Sequence, residues 1–414
     1  MRTMTSRRGR ACALAVAAVL LAATSCSGGS SDPETDEIMV LSGRDDSVGR
    51  QREELVKKWN EHHELQARIV EISGSADQQH NEMVKEAQAP DSRVDVFNLD
   101  VTWTAEFAEA GYIRELDEPP NAADFLPGPR ATAEYEGSLY ALPFNTDAGL
   151  LFYNRDLVDC PTDWNAIHDD VERVRGRRQP TTAAVWAGQL REYDGLVVNV
   201  LETLNALTPG KPDLFQAGLP ALQEAVDTLT PQRDPGRVLP DALDFDEGSS
   251  VPALRQGKVP MLRNWPVARG ALTAPSTENT TAGTNIDVCQ LPGEGAVLGG
   301  QNLAVSDRSA HPTEAQELVR ELTSCDNERT LFEKGGLAPT RSCAYTTSQR
   351  PADDFTQAIE KAVQNATPRP QGPCYGRFSG LFSSVVHRSL VTGERLPPGF
   401  LADLRRALDC KPPR

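Results

Sequence analysis

Ile38-Met39-Val40-Leu41-Ser42-Gly43 is a short apolar run stopped by a serine and a glycine, and residues 48–62 behind it carry Leu55, Val56 and Trp59 on one helical stripe. The alternation continues. Ala67-Arg68-Ile69-Val70 reads as a strand, Gln78 to Ala87 as a helix, Val94-Asp95-Val96-Phe97 as a strand and Thr104 to Ala110 as a helix. The order β-α-β-α-β-α predicts an α/β fold with a parallel sheet under covering helices. Ligands of such sheets bind beyond the carboxyl ends of the strands. By position alone, the loops Ser42 to Asp46, Ser73 to Asp77 and Asp100 to Trp103 are therefore candidate contacts.

Upstream, residues 27–36 are Gly, Ser, Asp, Pro, Glu and Thr, too polar to bury a core, and read as a flexible tether. Arg2, Arg7, Arg8 and Arg10 precede an apolar run from Ala11 to Ala23 that is too short to span a bilayer. Residues 1–25 are thus expected to be a signal peptide. Leu21-Ala22-Ala23-Thr24-Ser25-Cys26 resembles a bacterial lipobox, which makes Cys26 the expected site of lipidation and the lipid the only link to the membrane. Ser6-Arg7-Arg8 is shared with twin-arginine signals, but Arg10 sits where that motif wants an apolar residue, so the export route stays open.

Downstream, the middle of the chain is helix-rich. Pro240 to Gly257 reads as an acidic loop entering a short helix, Val297 to Ser306 as a strand, and Pro312 to Thr323 as a helix, with no fixed-period repeat. The net charge is −17, and −21 once residues 1–25 are removed, which argues against nucleic acid as a partner because that affinity rests on Lys and Arg neutralising phosphates. Apart from Cys12 and Cys26 there are six cysteines, Cys160, Cys289, Cys325, Cys343, Cys374 and Cys410. An even number in an exported chain suggests disulfides, and six cysteines allow fifteen pairings. Their spacing fits no metal site.

From Leu142 the chain reads Leu-Pro-Phe-Asn-Thr-Asp-Ala-Gly-Leu-Leu-Phe-Tyr-Asn-Arg-Asp-Leu, through Leu157. This stretch resembles the first crossover between lobes in the family 1 extracellular solute-binding proteins, the maltose- and trehalose-binding group. Further segments resemble that family in the same order: Val94 to Asp100 with Trp103 and Phe107 to Gly111, Gln189 with Glu192 to Leu196, Asn264-Trp265-Pro266, Val297 to Val305, Gly336 to Arg341, and Pro368-Arg369-Pro370 with Pro373 and Tyr375. The sequence departs from the subgroup at four places. Gln301 stands where it usually has tryptophan, Asp194 where it has glutamate, Cys374 where it has tyrosine and Thr367 where it often has arginine.

The resemblance implies a periplasmic-binding-protein-like fold of two α/β lobes joined by a multi-segment hinge, with a ligand cleft between them. Lobe 1 would be 37–146 plus 298–340 and lobe 2 would be 147–297 plus 341–414, hinged near Thr146, Gly299 and Pro339. It further implies capture of a sugar for the permease subunits of an ABC importer, by a monomer without cofactor, metal or catalytic residues. A sugar needs donors and acceptors for its hydroxyls and flat rings for its C–H face. The expected polar set is Asp45, Asp100, Asn145, Asp147, Asp194, Gln301 and Arg369, with the Gly300 backbone, and the expected platforms are Trp103, Trp186, Trp265 and Tyr375. Each has a plainer reading: Asp45 as a helix cap, Asp147 as a hinge hydrogen-bonder, Arg369 as a partner of a surface carboxylate, the rings as core. The same resemblance pairs Cys160 with Cys289, Cys374 with Cys410, and Cys325 with Cys343. Two other readings are a binding protein for another solute, such as an amino sugar, peptide or polyamine, and an exported glycoside hydrolase, whose site also combines carboxylates and aromatic rings.

Overall fold

In the computed structural model, which describes residues 36–176, 182–208, 210, 213–274, 285–345 and 354–412, the strands form where the apolar runs place them. The expected signal peptide, Cys26 and the tether up to residue 35 lie outside the described residues. In chain order the strands are β1 (Glu37–Gly43), β2 (Gln66–Ile72), β3 (Val96–Asp100), a small hairpin of β4 (Glu134–Tyr135) and β5 (Ser138–Leu139), β6 (Leu142–Ala148), β7 (Leu150–Asn154), β8 (Trp186–Ala187), β9 (Met261–Asn264), β10 (Ile286–Gln290) and β11 (Leu298–Val305).

One sheet has the order β2-β1-β3-β11-β6, the other β10-β7-β9-β8, and they are the floors of two α/β lobes. Strand β1 pairs in parallel with β2 and β3, as the alternating sequence predicts. Beyond these three strands the sheet is mixed, since β11 runs antiparallel to both β3 and β6. The reason is connectivity: β6 leaves the first sheet through Gly149 to become β7 of the second, and β11 brings the chain back the opposite way.

The helices follow from their apolar faces and their caps. Helix Gln51–Asn60 buries Leu55, Val56 and Trp59, the stripe read from the sequence. Its approach is fixed by Asp45, whose carboxylate accepts from the backbone amides of Ser47 (3.0 Å) and Arg52 (2.9 Å). Helix Ala76–Gln88 opens with Gln78 reaching back to the Ser75 amide (3.0 Å). Helix Asp194–Leu207 is buried from Asp194 through Asn205, and its polar side chains are hydrogen-bonded inside the protein, Asn199 to the Gly195 carbonyl, Glu202 to Arg263 and Asn205 to Thr367. At the C-terminal end, helices Tyr375–Thr392 and Phe400–Leu408 interlock through Phe378, Phe382 and Phe400, all buried.

The three crossing segments lie side by side. The Thr146 amide donates to the Ala338 carbonyl (2.9 Å), and the Thr146 hydroxyl to the Gly299 carbonyl (3.2 Å). The third is tied firmly to helix Cys325–Gly335: buried Glu328 accepts from the amides of Thr340 (2.7 Å) and Arg341 (3.0 Å). Arg341 also stacks on Phe125 at 3.6 Å. Three disulfides join Cys160 to Cys289, Cys325 to Cys343 and Cys374 to Cys410, the pairing that the family resemblance implies.

Candidate functional site

The carboxyl end of β3 delivers Asp100 to the edge of the first sheet, and the neighbouring strands align further polar residues with it. Gln301 on β11 stands opposite Asp100 on one side and Asn145 on the other, while Gly299 faces Asp147. This register requires a glycine at position 300. There φ is +118°, and a Cβ would collide with the Asn145 carbonyl oxygen.

One wall comes from the first turn of helix Gln51–Asn60. Arg52, which the sequence reading missed, turns inward and donates through Nη2 to Asn145 Oδ1 (3.0 Å) and Gln301 Oε1 (2.7 Å). Where the subgroup usually offers a flat ring, Gln301 therefore holds a guanidinium. Burial lowers the pKa of Arg52, opposed chiefly by Asp45 and Asp147. Asp45 itself meets two backbone amides, so the structure places it as the cap of this wall.

The other wall belongs to the second lobe. Asp194 is the first residue of helix Asp194–Leu207, where the helix dipole favours a negative charge. Arg369 joins the two walls: Nη1 donates to Asp194 Oδ2 (2.6 Å), and Nη2 to Asp100 Oδ1 (2.8 Å) and Oδ2 (3.1 Å). Burial works against the charge on Arg369, yet the two carboxylates outweigh it and hold the guanidinium more firmly protonated than usual. Asp194 Oδ1 also accepts from the Tyr375 and Ser379 hydroxyls, both at 2.7 Å. Asp77, an exposed residue of the candidate loop Ser73 to Asp77, sends its carboxyl toward the Asp194 amide; partial desolvation of the carboxyl there, then the Asp194 charge, push its pKa up to about 6.

Trp265 follows β9 and is half-buried, held from one side by Arg263, whose guanidinium lies 3.9 Å from the ring centroid. Its other neighbour is Gly299, where a Cβ would stand 3.1 Å from a ring carbon. Arg263 is fixed in turn by Glu202, at 2.7 Å through each of two bonds, and by Gln189 Oε1 at 3.1 Å. Next to Gly299, Asp147 is buried, and its pKa is pushed up to about 7 by that burial, against the pull of Arg52, Arg263 and Arg369. Four buried polar atoms of this group find no hydrogen-bond partner: Arg52 Nε, Asn145 Nδ2, Asp147 Oδ1 and Arg369 Nε.

The structure thus brings together Asp100, Asn145, Asp147, Asp194, Trp265, Gly300, Gln301, Arg369 and Tyr375. The remaining rings differ from the expectation. Trp186 packs edge-on against Trp164 at 5.4 Å in the core of the second sheet, 2 % exposed, and offers no platform. Tyr375 is buried with its hydroxyl on Asp194, so it orients that carboxylate. Trp103 packs against His80 at 5.2 Å and is likewise buried. Arg52, Arg263, Glu202 and Ser379 were missed. Arg263 alone left a signal, a charge inside the apolar strand Val259-Pro260-Met261-Leu262. Among the described residues no cluster of three or more His, Cys, Asp or Glu is placed to hold a metal ion.

Two α/β lobes joined by three crossing segments, with a polar cluster beside the crossings, are the architecture of a solute-binding protein. The chain belongs to the bacterial extracellular solute-binding protein family, whose sequence profile matches residues 54–362. It is 27% identical to a probable ABC transporter-binding protein of Deinococcus radiodurans over 398 residues, 88% of this chain and 91% of that one. Among solved structures, maltose-bound MalE3 of T. maritima superposes with a TM-score of 0.74 at 22% identity, covering 90% of this chain and 98% of the other. The GacH receptor of Streptomyces glaucescens, solved unliganded and with acarbose, gives 0.73 at 22% identity, with 90% and 98% covered. The family and these neighbours are solute-binding proteins rather than enzymes.

Proposed function

We propose that the protein captures a mono- or disaccharide, an α-glucoside of the trehalose or maltose type, outside the cytoplasmic membrane and delivers it unaltered to the permease of an ABC importer. In this reading residues 37–146 with 298–340 form one jaw and 147–297 with 341–414 the other. A lipid on Cys26 tethers a monomer to the membrane through residues 26–36. The observation that carries the reading is Arg369 spanning Asp100 of the first lobe and Asp194 of the second. A group shared by both walls makes closure depend on what lies between them, because a ligand favours the closed form only through contacts with both lobes. The carboxylates, amides and guanidiniums suit hydroxyl groups, and the half-buried Trp265 ring suits the C–H face of a pyranose. The maltose and acarbose held by the two structural neighbours favour the same ligand class.

A thermal-shift screen of mono- and disaccharides, trehalose and maltose included, tests this. A true ligand at 100 times its dissociation constant adds about 2.7 kcal/mol to stability. Asp194→Ala, which strips Arg369, Tyr375 and Ser379 of their shared partner, is expected to abolish that response. A protein that answers to no saccharide, or an Asp194→Ala variant that answers fully, contradicts the assignment.

A further inference from the structure

Asp147 is the one carboxylate of the cleft whose setting the proposed function leaves unexplained. It is 9 % exposed, and Oδ1 has no hydrogen-bond partner. Charged and titratable groups face it from every side: Arg52 from helix Gln51–Asn60, Arg263 from β9, Arg369 from the 367–371 segment, Asp100 from β3 and the Tyr345 phenol from helix Ser342–Tyr345. None of these pairs with it. The guanidiniums bond elsewhere, Arg52 to Asn145 and Gln301, Arg263 to Glu202 and Gln189, Arg369 to Asp100 and Asp194; Arg52 Nε and Arg369 Nε remain without an acceptor, so neither reaches Asp147, and Tyr345 donates to the Pro339 carbonyl (3.1 Å). A buried carboxylate oxygen without a donor is costly, and the least costly relief before a ligand arrives is a proton.

We propose that solute capture is coupled to release of one proton from Asp147: the empty protein carries it, and a ligand hydroxyl donating to Oδ1 replaces it and stabilises the carboxylate. This rests on the sugar-binding reading above and adds a regulation to it. The proton passes to bulk water, and no bond to carbon is made or broken. The carboxyl pKa near 7 in the empty cleft places the change close to neutrality. The sign is fixed by what each form holds. The unliganded form binds a proton that the complex lacks, so affinity rises with pH, by up to about tenfold per unit below pH 7, and levels off above it. The surrounding arginines also disfavour an ammonium group at Oδ1, which selects an uncharged hydroxyl donor.

Two measurements test the coupling. The first needs no ligand: infrared difference spectra of the empty protein between pH 6 and pH 8.5 are expected to contain a protonated-carboxyl C=O component that is missing in Asp147→Asn, while the components of Asp77, pushed up to about 6, and of buried Glu328, pushed up to about 8, remain in both proteins. A carboxyl band of equal intensity in the wild type and in Asp147→Asn overturns the proposal. The second is titration calorimetry of the sugar found by the screen, in two buffers of different ionisation enthalpy. Near pH 6 close to one proton should leave per ligand bound, and Asp147→Asn should bind more weakly at pH 8 with no pH slope. Asp77→Asn must keep the slope, since Asp77 titrates in the same range but faces Asp194. A proton-silent, pH-independent affinity in the wild type, or a slope that survives in Asp147→Asn, refutes the coupling. A carboxyl component lost in the variant, together with no response to any saccharide, instead refutes the sugar assignment and leaves the protonated Asp147 standing.

Discussion

Replacing Arg263 by methionine tests the support beneath Trp265. Arg263 is 1 % and Glu202 5 % exposed, and the two bonds between them are both 2.7 Å. Methionine fills similar space without charge, so Glu202 is left buried and unpaired. Breaking a buried pair from one side costs about 3–5 kcal/mol. The loss should appear as a lower urea midpoint with an unchanged slope. It should also depend on pH. Burial already pushes the Glu202 carboxyl up against the pull of Arg263, and removing the arginine pushes it further. The folded variant then keeps a proton that the unfolded chain gives up, so its deficit is largest at alkaline pH and shrinks as pH falls toward the ordinary glutamate range near about 4.3. Arg263→Met combined with Glu202→Leu should regain most of the loss, because neither charge then remains buried. A deficit below about 1 kcal/mol at pH 8, or one equally large at pH 5, would refute the argument.

Two further outcomes follow from the geometry. Gly300→Ala introduces a Cβ where φ is +118° and the Asn145 carbonyl oxygen already stands; backbone strain alone costs about 1–3 kcal/mol, so a clearly lower melting temperature is expected, with a weakened sugar response as Asn145 shifts. Asp45→Ala removes a cap from two backbone amides and should cost about 0.5–2 kcal/mol in chemical denaturation while the affinity for sugar changes little; a large loss of affinity would return Asp45 to the ligand set.

Much of this protein is legible along the chain because its causes are local. The stripe Leu55, Val56 and Trp59 dictates a helix, the run Ile38 to Leu41 dictates a strand, and their alternation dictates β1, β2 and β3 in parallel. The segment Leu142 to Leu157 marks the crossing between sheets because it holds two strands separated by a single glycine. What the sequence alone does not carry is long-range. Arg369 meets Asp194 across 175 positions and Asp100 across 269, Arg263 meets Glu202 across 61, and no periodicity reports such contacts. Only the return of β11 against β3 and β6 sets Gln301 between Asp100 and Asn145, and so turns Arg52 from a surface helix charge into a cleft wall. Composition and period settle what each segment prefers to be. Which charges face one another, and which oxygen is left waiting for a partner, is settled when packing excludes water and brings distant segments within hydrogen-bond reach.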